Sequence, residues 1–298
     1  MVQRKQKIDL LGGSVLLVFS GLMGLNQVLV KLVNAGLQPA FQVGLRSACA
    51  IIPIIVFALI TRKKLTIRDG SFWPGILAGL FFTTEFVLLF QSLEYTSVSR
   101  ASIMFYSMPF WVALGAHFLI DGERLTRPRI IGLILAISGV TLALLDNSKP
   151  VTDLAWLGDL MSLAGGVFWA GILLITRKTK LTNASPEMNL IYHLAVSAIV
   201  LLTISPLFGS VIREITPTII GIFSFQVLVV VCIGFLAWFW VLSIYPASDM
   251  ASFGFLAPLF GVFFGWLVLD EAITLRFVGA LFLVCVGIIL VNRKPAQN

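Results

Sequence analysis

The chain predicts an all-α integral membrane protein with ten transmembrane helices arranged as two inverted five-helix repeats. Three observations lead there. Apolar residues fill 58% of its 298 positions and charged residues only 12%, with a mean hydropathy of +1.00, which leaves too little polar surface for a water-soluble body. The apolar residues gather into ten runs of about the length an α-helix needs to cross ~30 Å of hydrocarbon. The second half of the chain also repeats landmarks of the first.

The runs follow one another with short connections. The first, 10–30, is longer than a signal-peptide core and lacks an A-x-A cleavage pattern, so it is read as a retained helix. The second, 40–60, carries Arg46; the third, 72–93, carries Thr83, Thr84 and Glu85; the fourth, 101–120, carries Tyr106, Ser107 and Pro109. The fifth, 130–145, closes the first half. The second half supplies 156–175 with Trp169, 190–208 with His193, 219–243, 251–269 with Pro258, and 277–291.

Basic residues orient these spans, because loop Lys and Arg stay predominantly on the cytoplasmic side. With the N-terminus inside, the inner segments hold Arg4, Lys5, Lys7, Arg62, Lys63, Lys64, Arg68, Arg124, Arg127, Arg129, Arg177, Lys178, Lys180, Arg293 and Lys294. The outer segments hold Lys31, Arg100, Lys149, Arg213 and Arg276. The bias predicts a multi-pass protein of the plasma (inner) membrane with both termini cytoplasmic. It also accounts for the net charge of +7 without any nucleic acid.

Cys49, Cys232 and Cys285 all fall within apolar runs, where a thiol behaves as a small hydrophobe rather than a loop staple. His117 and His193 are isolated, no Cys/His cluster has metal-ligand spacing, and no glycine-rich phosphate loop occurs. No cofactor and no metal are expected, which removes an ATP-driven pump and a metalloenzyme from consideration.

Tyr95, Ala101 and Ser102 recur as Tyr245, Ala251 and Ser252. Further on, Pro109 is matched by Pro258, the acidic helix end Asp121/Glu123 by Asp270/Glu271, and Gly132 and Gly139 by Gly279 and Gly287. Upstream, Leu11, Gly12 and Lys31 are matched by Leu157, Gly158 and Arg177. Residues 1–148 and 149–298 are therefore expected to form one five-helix repeat each. Because five is odd, the second repeat enters the membrane in the opposite sense, an architecture found chiefly in transporters.

Leu45-Arg46, the run Leu93-x-Tyr95-Thr96-Ser97, Pro109, Glu123 and the Gly132 to Val140 segment, together with the duplication, resemble the drug/metabolite transporter superfamily, specifically its ten-helix EamA-type exporters, over nearly the whole chain. The resemblance implies a central cavity formed mainly by helices one, three, four, six, eight and nine, with helices five and ten peripheral. It also implies export of small metabolites, amino acids being a frequent class. The chain departs from that pattern where Met23 stands in place of the tryptophan often found in the first helix, while Trp169 keeps it in the sixth.

Polar groups within the apolar runs are the candidates for solute contact, since an ionised side chain in lipid normally faces a cavity or a partner. The candidate substrate-binding set is Asn26, Gln27, Arg46, Thr84, Glu85, Tyr106, Ser107 and Trp169, with Thr83 beside it. Arg46 and Glu85 lie at similar depths, which permits a salt bridge; Arg46 either ties helices together or receives a carboxylate. Glu85 is also the candidate for proton coupling, as the one carboxylate near the middle of a span. His193 reads as a packing residue. Asp159, near a helix start, reads as wetted, and Trp238 and Trp240 as interfacial. Amides and hydroxyls in such helices also serve as interhelical hydrogen-bond glue.

Gly75/Gly79 and Gly261/Gly265 each place two small residues on one helix face and predict internal packing seams. Pro109 and Pro258 predict matched kinks in the middle of helices four and nine. The expected partners are a small-molecule solute and the bilayer, with the protein a monomer or weak homo-oligomer. Proton coupling and uptake in place of export remain alternatives. A membrane-embedded enzyme lacks a catalytic cluster at an interface, and a scaffold lacks extramembrane surface.

Overall fold

Without water to satisfy a peptide backbone, a chain in hydrocarbon must close its hydrogen bonds within helices or a barrel. The computed structural model describes residues 9–120, 125–145, 152–245, 253 and 256–292, and among them every extended element is helical. Arg4, Lys5, Lys7, Arg124, Lys149, Arg293 and Lys294, the repeat landmarks Asp121, Glu123, Ala251 and Ser252, and the 148/149 boundary lie outside the described residues.

The first half contains α1 (Leu10–Asn34), α2 (Pro39–Ile60), α3 (Phe72–Tyr95), α4 (Val98–Phe105), α5 (Met108–Leu119) and α6 (Arg127–Leu144). The second contains α7 (Ala155–Lys178), α8 (Pro186–Ile204), α9 (Pro217–Phe225), a π-helical stretch Gln226–Gly234 that continues into α10 (Phe235–Ile244), α11 (Leu256–Leu269) and α12 (Leu275–Asn292). Seven stretches are long and apolar enough to cross a membrane, counting α4 with α5 as one; α6, α11 and α12 complete the ten spans. Helix starts follow local chemistry: Asp9, Gln38, Ser97, Ser185 and Thr216 each accept a backbone N–H of the first turn, with proline next at Pro39, Pro186 and Pro217.

The fourth span is not one helix. It breaks at Tyr106 and Ser107, and Pro109 sits in the first turn of α5, where its missing N–H costs nothing. Pro258 likewise falls in the first turn of α11. The expected mid-helix kinks are thus helix openings, and the proline inside a helix is Pro53 of α2.

Equivalent elements of the two halves pack on each other, as an axis in the membrane plane requires. Ser47 of α2 and Ser197 of α8 share a hydrogen bond of 3.1 Å. The α6–α12 crossing is reciprocal: a methyl on Gly132 would lie 2.8 Å from the Gly287 carbonyl, and one on Gly139 would lie 2.7 Å from that of Ala280. Gly75 and Gly79 admit Tyr192 and Val196 of α8, while Gly261 and Gly265 admit Ser102, Ser99 and Glu271, so both glycine pairs serve internal seams.

Two seams join the halves elsewhere. Between α3 and α7, Ser162 donates to Ser92 (2.7 Å) and Thr96 to Asp159 (2.7 Å), and Arg100 binds both oxygens of Asp159. Asp159 is fully buried, contrary to the expectation that it is wetted; three donors from α4 and the α3–α4 turn replace its water. Between α1 and the eighth span, by contrast, lie two apolar hollows. One, of about 260 Å³, is lined by Val15, Val18, Phe19, Leu22, Ile233 and Ala237 among others. The other, of about 310 Å³, is lined by Leu25, Leu29, Gly221, Ile222 and Phe225.

Candidate functional site

Buried polar side chains converge where α1, α2, α3, α4, α7 and the π-helical stretch meet. Gln226, the first residue of that stretch and wholly buried, donates to Asn26 Oδ1 (3.2 Å) and accepts from Gln42 Nε2 (3.3 Å). An amide chain therefore runs from α1 through the eighth span to α2. The change to i→i+5 bonding begins at Gln226, and such insertions recur at functional positions. On the other face of α1, Gln27 accepts from Ser102 Oγ (2.6 Å), and the Tyr106 hydroxyl approaches the same amide.

Aromatic rings form the adjoining wall. Trp169 stacks on Phe105 with centroids 5.0 Å apart and meets Tyr106 edge-on at 6.0 Å. The Arg46 guanidinium rests against Phe86 and Phe90, 4.8 and 4.7 Å from their centroids, distances at which a cation and a ring attract. Arg46 and Glu85 are both buried and close enough for each charge to act on the other. They form no direct ion pair, although their depths would allow one.

Three buried atoms here have no hydrogen-bond partner: Gln27 Nε2, Gln42 Oε1 and Glu85 Oε2. A buried polar atom left unmade costs about 1–3 kcal/mol. A donor, an acceptor and a carboxylate left open together describe a place that a polar ligand would complete.

Of the residues singled out from sequence, Asn26, Gln27, Arg46, Glu85, Tyr106 and Trp169 come together. Ser107 is one step removed: its hydroxyl donates to the Met104 carbonyl (2.6 Å) and accepts from Trp111 Nε1 (3.3 Å), bracing the α4–α5 break. Thr84 turns to the opposite face of α3, in line with the exposed Leu77 and Leu80, and bonds the Leu80 carbonyl; Thr83 bonds that of Gly79. His193 stacks on Phe82 at 5.1 Å, with its Nε2 unpaired. Sequence reasoning missed Gln42, Gln226 and Ser102. Gln42 was within reach, since it stands four residues before Arg46 and so shares its helix face; Gln226 was a lone amide in an apolar run.

A second polar group sits at the end of the bundle where α1 finishes. Lys31 donates to the Thr96 carbonyl (2.8 Å) and lies 3.8 Å from Glu271, whose carboxylate accepts the Val98 and Ser99 N–H groups at the start of α4. Arg213 pairs with Glu94 and bonds the Asn34 carbonyl. Among the described residues, no cluster of His, Cys, Asp and Glu suits a metal ion, and the three cysteines are free.

A family model described as the EamA-like transporter family matches the chain twice, over residues 10–145 and 156–293. An uncharacterized transporter, YoaV, of Bacillus subtilis is 26% identical over 269 residues, covering 90% of this chain and 91% of that protein. A protein named a probable amino-acid metabolite efflux pump, from Escherichia coli, is 27% identical over 275 residues, covering 87% and 88%. A solved crystal structure shares the fold with a TM-score of 0.67 at 16% identity, covering 93% of this chain and 96% of its own.

Proposed function

The chain belongs to the EamA-like transporter family, and from that premise we propose that it exports a small organic metabolite of the amino-acid type from the cytoplasm by alternating access. The observation that carries this reading is the set of unpartnered buried groups, Gln27 Nε2, Gln42 Oε1 and Glu85 Oε2, gathered beside Arg46 and the Trp169 wall with contributions from both repeats. Buried polar groups are usually hydrogen-bonded within the protein, so three open ones near a charge pair that stays apart favour a polar ligand. The efflux name of the Escherichia coli relative supports the direction and the solute type.

In this reading the eighth span moves against α1 while the α3–α7 seam holds, and the Asn26–Gln226–Gln42 chain separates the two hollows from the polar centre. The Lys31–Glu271 and Arg213–Glu94 contacts close the extracellular end. Both termini and the 61–71 connection are cytoplasmic, in the plasma membrane. Glu85 is the candidate proton carrier. The chain is not an enzyme.

The deciding experiment is counterflow of labelled amino acids, nucleobases and cationic drugs in proteoliposomes. Saturable exchange of one class supports the proposal; vesicles inert to every class would refute it. An imposed pH gradient then assigns coupling: a response abolished in Glu85→Gln, while equal-pH exchange of a solute that this variant still accepts remains measurable, marks Glu85 as the carrier. A cysteine at Lys64 that reacts with an impermeant reagent added to intact cells would overturn the topology.

A further inference from the structure

Among the described residues, two guanidinium–carboxylate pairs are closed and a third stays open, and the contrast is informative. Arg100–Asp159 and Arg213–Glu94 are closed contacts in which the guanidinium engages the carboxylate directly. Arg46 and Glu85 are buried more deeply than Arg213 and Glu94, so they would gain more from such closure than that pair, because each isolated ion in a low-dielectric interior costs several kcal/mol. They nevertheless stay apart. Glu85 Oε2 accepts no hydrogen bond, and among the described residues the Arg46 guanidinium has ring faces as neighbours but no acceptor.

We infer that Arg46 and Glu85 are held apart to receive the two charges of one zwitterion, the carboxylate of a 2-amino acid on Arg46 and its ammonium on Glu85, with an apolar side chain directed toward Phe105, Tyr106 and Trp169. The inference rests on the transport reading and names its solute. The guanidinium edge is a planar fork of donors that matches a carboxylate. An ammonium supplies the donor that Glu85 Oε2 lacks. The Phe86 and Phe90 rings hold the Arg46 guanidinium by cation–π attraction in a position where it makes no ion pair with Glu85, which keeps both charges available. Gln42, one turn before Arg46 on α2, and Gln27, bonded to Ser102 at the Tyr106 wall, each keep one open amide atom and add an acceptor and a donor without adding charge. A solute with only one of the two charges would leave the other protein ion buried and unpaired, the case in which a polar site rejects an analogue most strongly.

The test compares phenylalanine, phenylalaninamide, which keeps only the ammonium, and 3-phenylpropionate, which keeps only the carboxylate, as counterflow substrates of the full chain in proteoliposomes. Wild type is expected to move phenylalanine at least about tenfold better than either analogue, the worth of one charge-assisted hydrogen bond. Glu85→Gln should shift preference toward 3-phenylpropionate, and Arg46→Gln toward phenylalaninamide. A role confined to packing would lower all three solutes in parallel, and that result overturns the inference. So does equal transport of the three by wild type. Where a variant does not fold, thermal stabilisation of the wild-type protein by each compound gives the same ranking or refutes it. If none of the three moves while another solute class does, the zwitterion site falls and the transporter stands; if nothing moves at all, both fall.

Discussion

The α3–α7 seam and the seam between α1 and the eighth span occupy equivalent places in the two repeats, yet they are made of different material. The first is zipped by Ser92–Ser162, Thr96–Asp159 and Arg100–Asp159, with Gly158 so close that a methyl there would lie 2.8 Å from the Ser92 carbonyl. By the repeat offsets, Ser162 corresponds to Leu16 and Ser92 to Leu242; Leu16 packs with Val241 and Tyr245. Beyond this cluster, the Tyr245 hydroxyl donates to Asp9, Asn26 accepts from Gln226 and Phe19 stacks on Trp238, and the rest of the second seam borders two hollows. Symmetry of fold does not imply symmetry of stability. Polar pairs in a membrane are directional and costly to separate, whereas apolar side chains exchange one another for lipid at little cost. In the proposed transport cycle the α1 seam is the one that parts.

The largest effect that can break this comparison comes from the buried carboxylate. Asp159→Ala removes the carboxylate to which both Arg100 and Thr96 donate and should destabilise the protein by about 3–5 kcal/mol, as removal of one partner from a buried ion pair does. A melting temperature in detergent equal to wild type would show that the zipper does not hold the seam. Next in size, Gly158→Val forces a branched side chain against the Ser92 carbonyl and Thr96, costing about 1–3 kcal/mol by overpacking. The same thermal assay reads it, and an unchanged midpoint would mean that the seam has slack.

Hydrogen exchange sharpens the comparison without mutation. Residues 217–244 should exchange at least about tenfold faster than residues 72–95 in nanodiscs, since elements with fewer buried contacts open more readily. Equal protection of the two would remove the argument that the eighth span is the moving part. The smallest effect has the opposite sign. Gly221 in α9 has nothing within 4 Å of where a Cβ would stand, so Gly221→Ala should stabilise by about 0.5–1 kcal/mol through helix propensity. A loss of stability there would indicate a closed seam.

The spans and their number were legible in the sequence because hydrocarbon thickness imposes one length on every crossing and charge punctuates the ends. The start of the second span held to within a residue, 40 against Pro39 after the Gln38 cap, whereas the seventh span opens at Pro186, four residues before its apolar run, because the Ser185 cap and Pro186 start the helix ahead of its apolar part. The fourth span misled because the run from 101 to 120 stays mostly apolar on both sides of Tyr106 and Ser107, while the helix stops at Phe105; apolarity does not report where a backbone turns. Asp159 misled for a related reason. Its position near a helix start suggested water, but burial depended on Arg100 and Thr96, which lie 59 and 63 residues away in the chain.

Much of the candidate site was legible for the reason that polar residues are rare in lipid, so Asn26, Gln27, Arg46 and Glu85 stand out against their surroundings. Thr84 did not join them, because a threonine satisfies its hydroxyl on its own helix and can face lipid at low cost. Composition, run length, charge bias and the internal repeat by themselves determined that this chain is a ten-span membrane protein of duplicated, inverted halves; these are properties of the solvent and of single segments. Only the tertiary structure decided that Gln226 bridges Asn26 and Gln42, that Arg46 and Glu85 stay unpaired, and that one of two equivalent seams is zipped and the other open. Each of those depends on which faces of distant helices meet, and helix faces become neighbours only through packing.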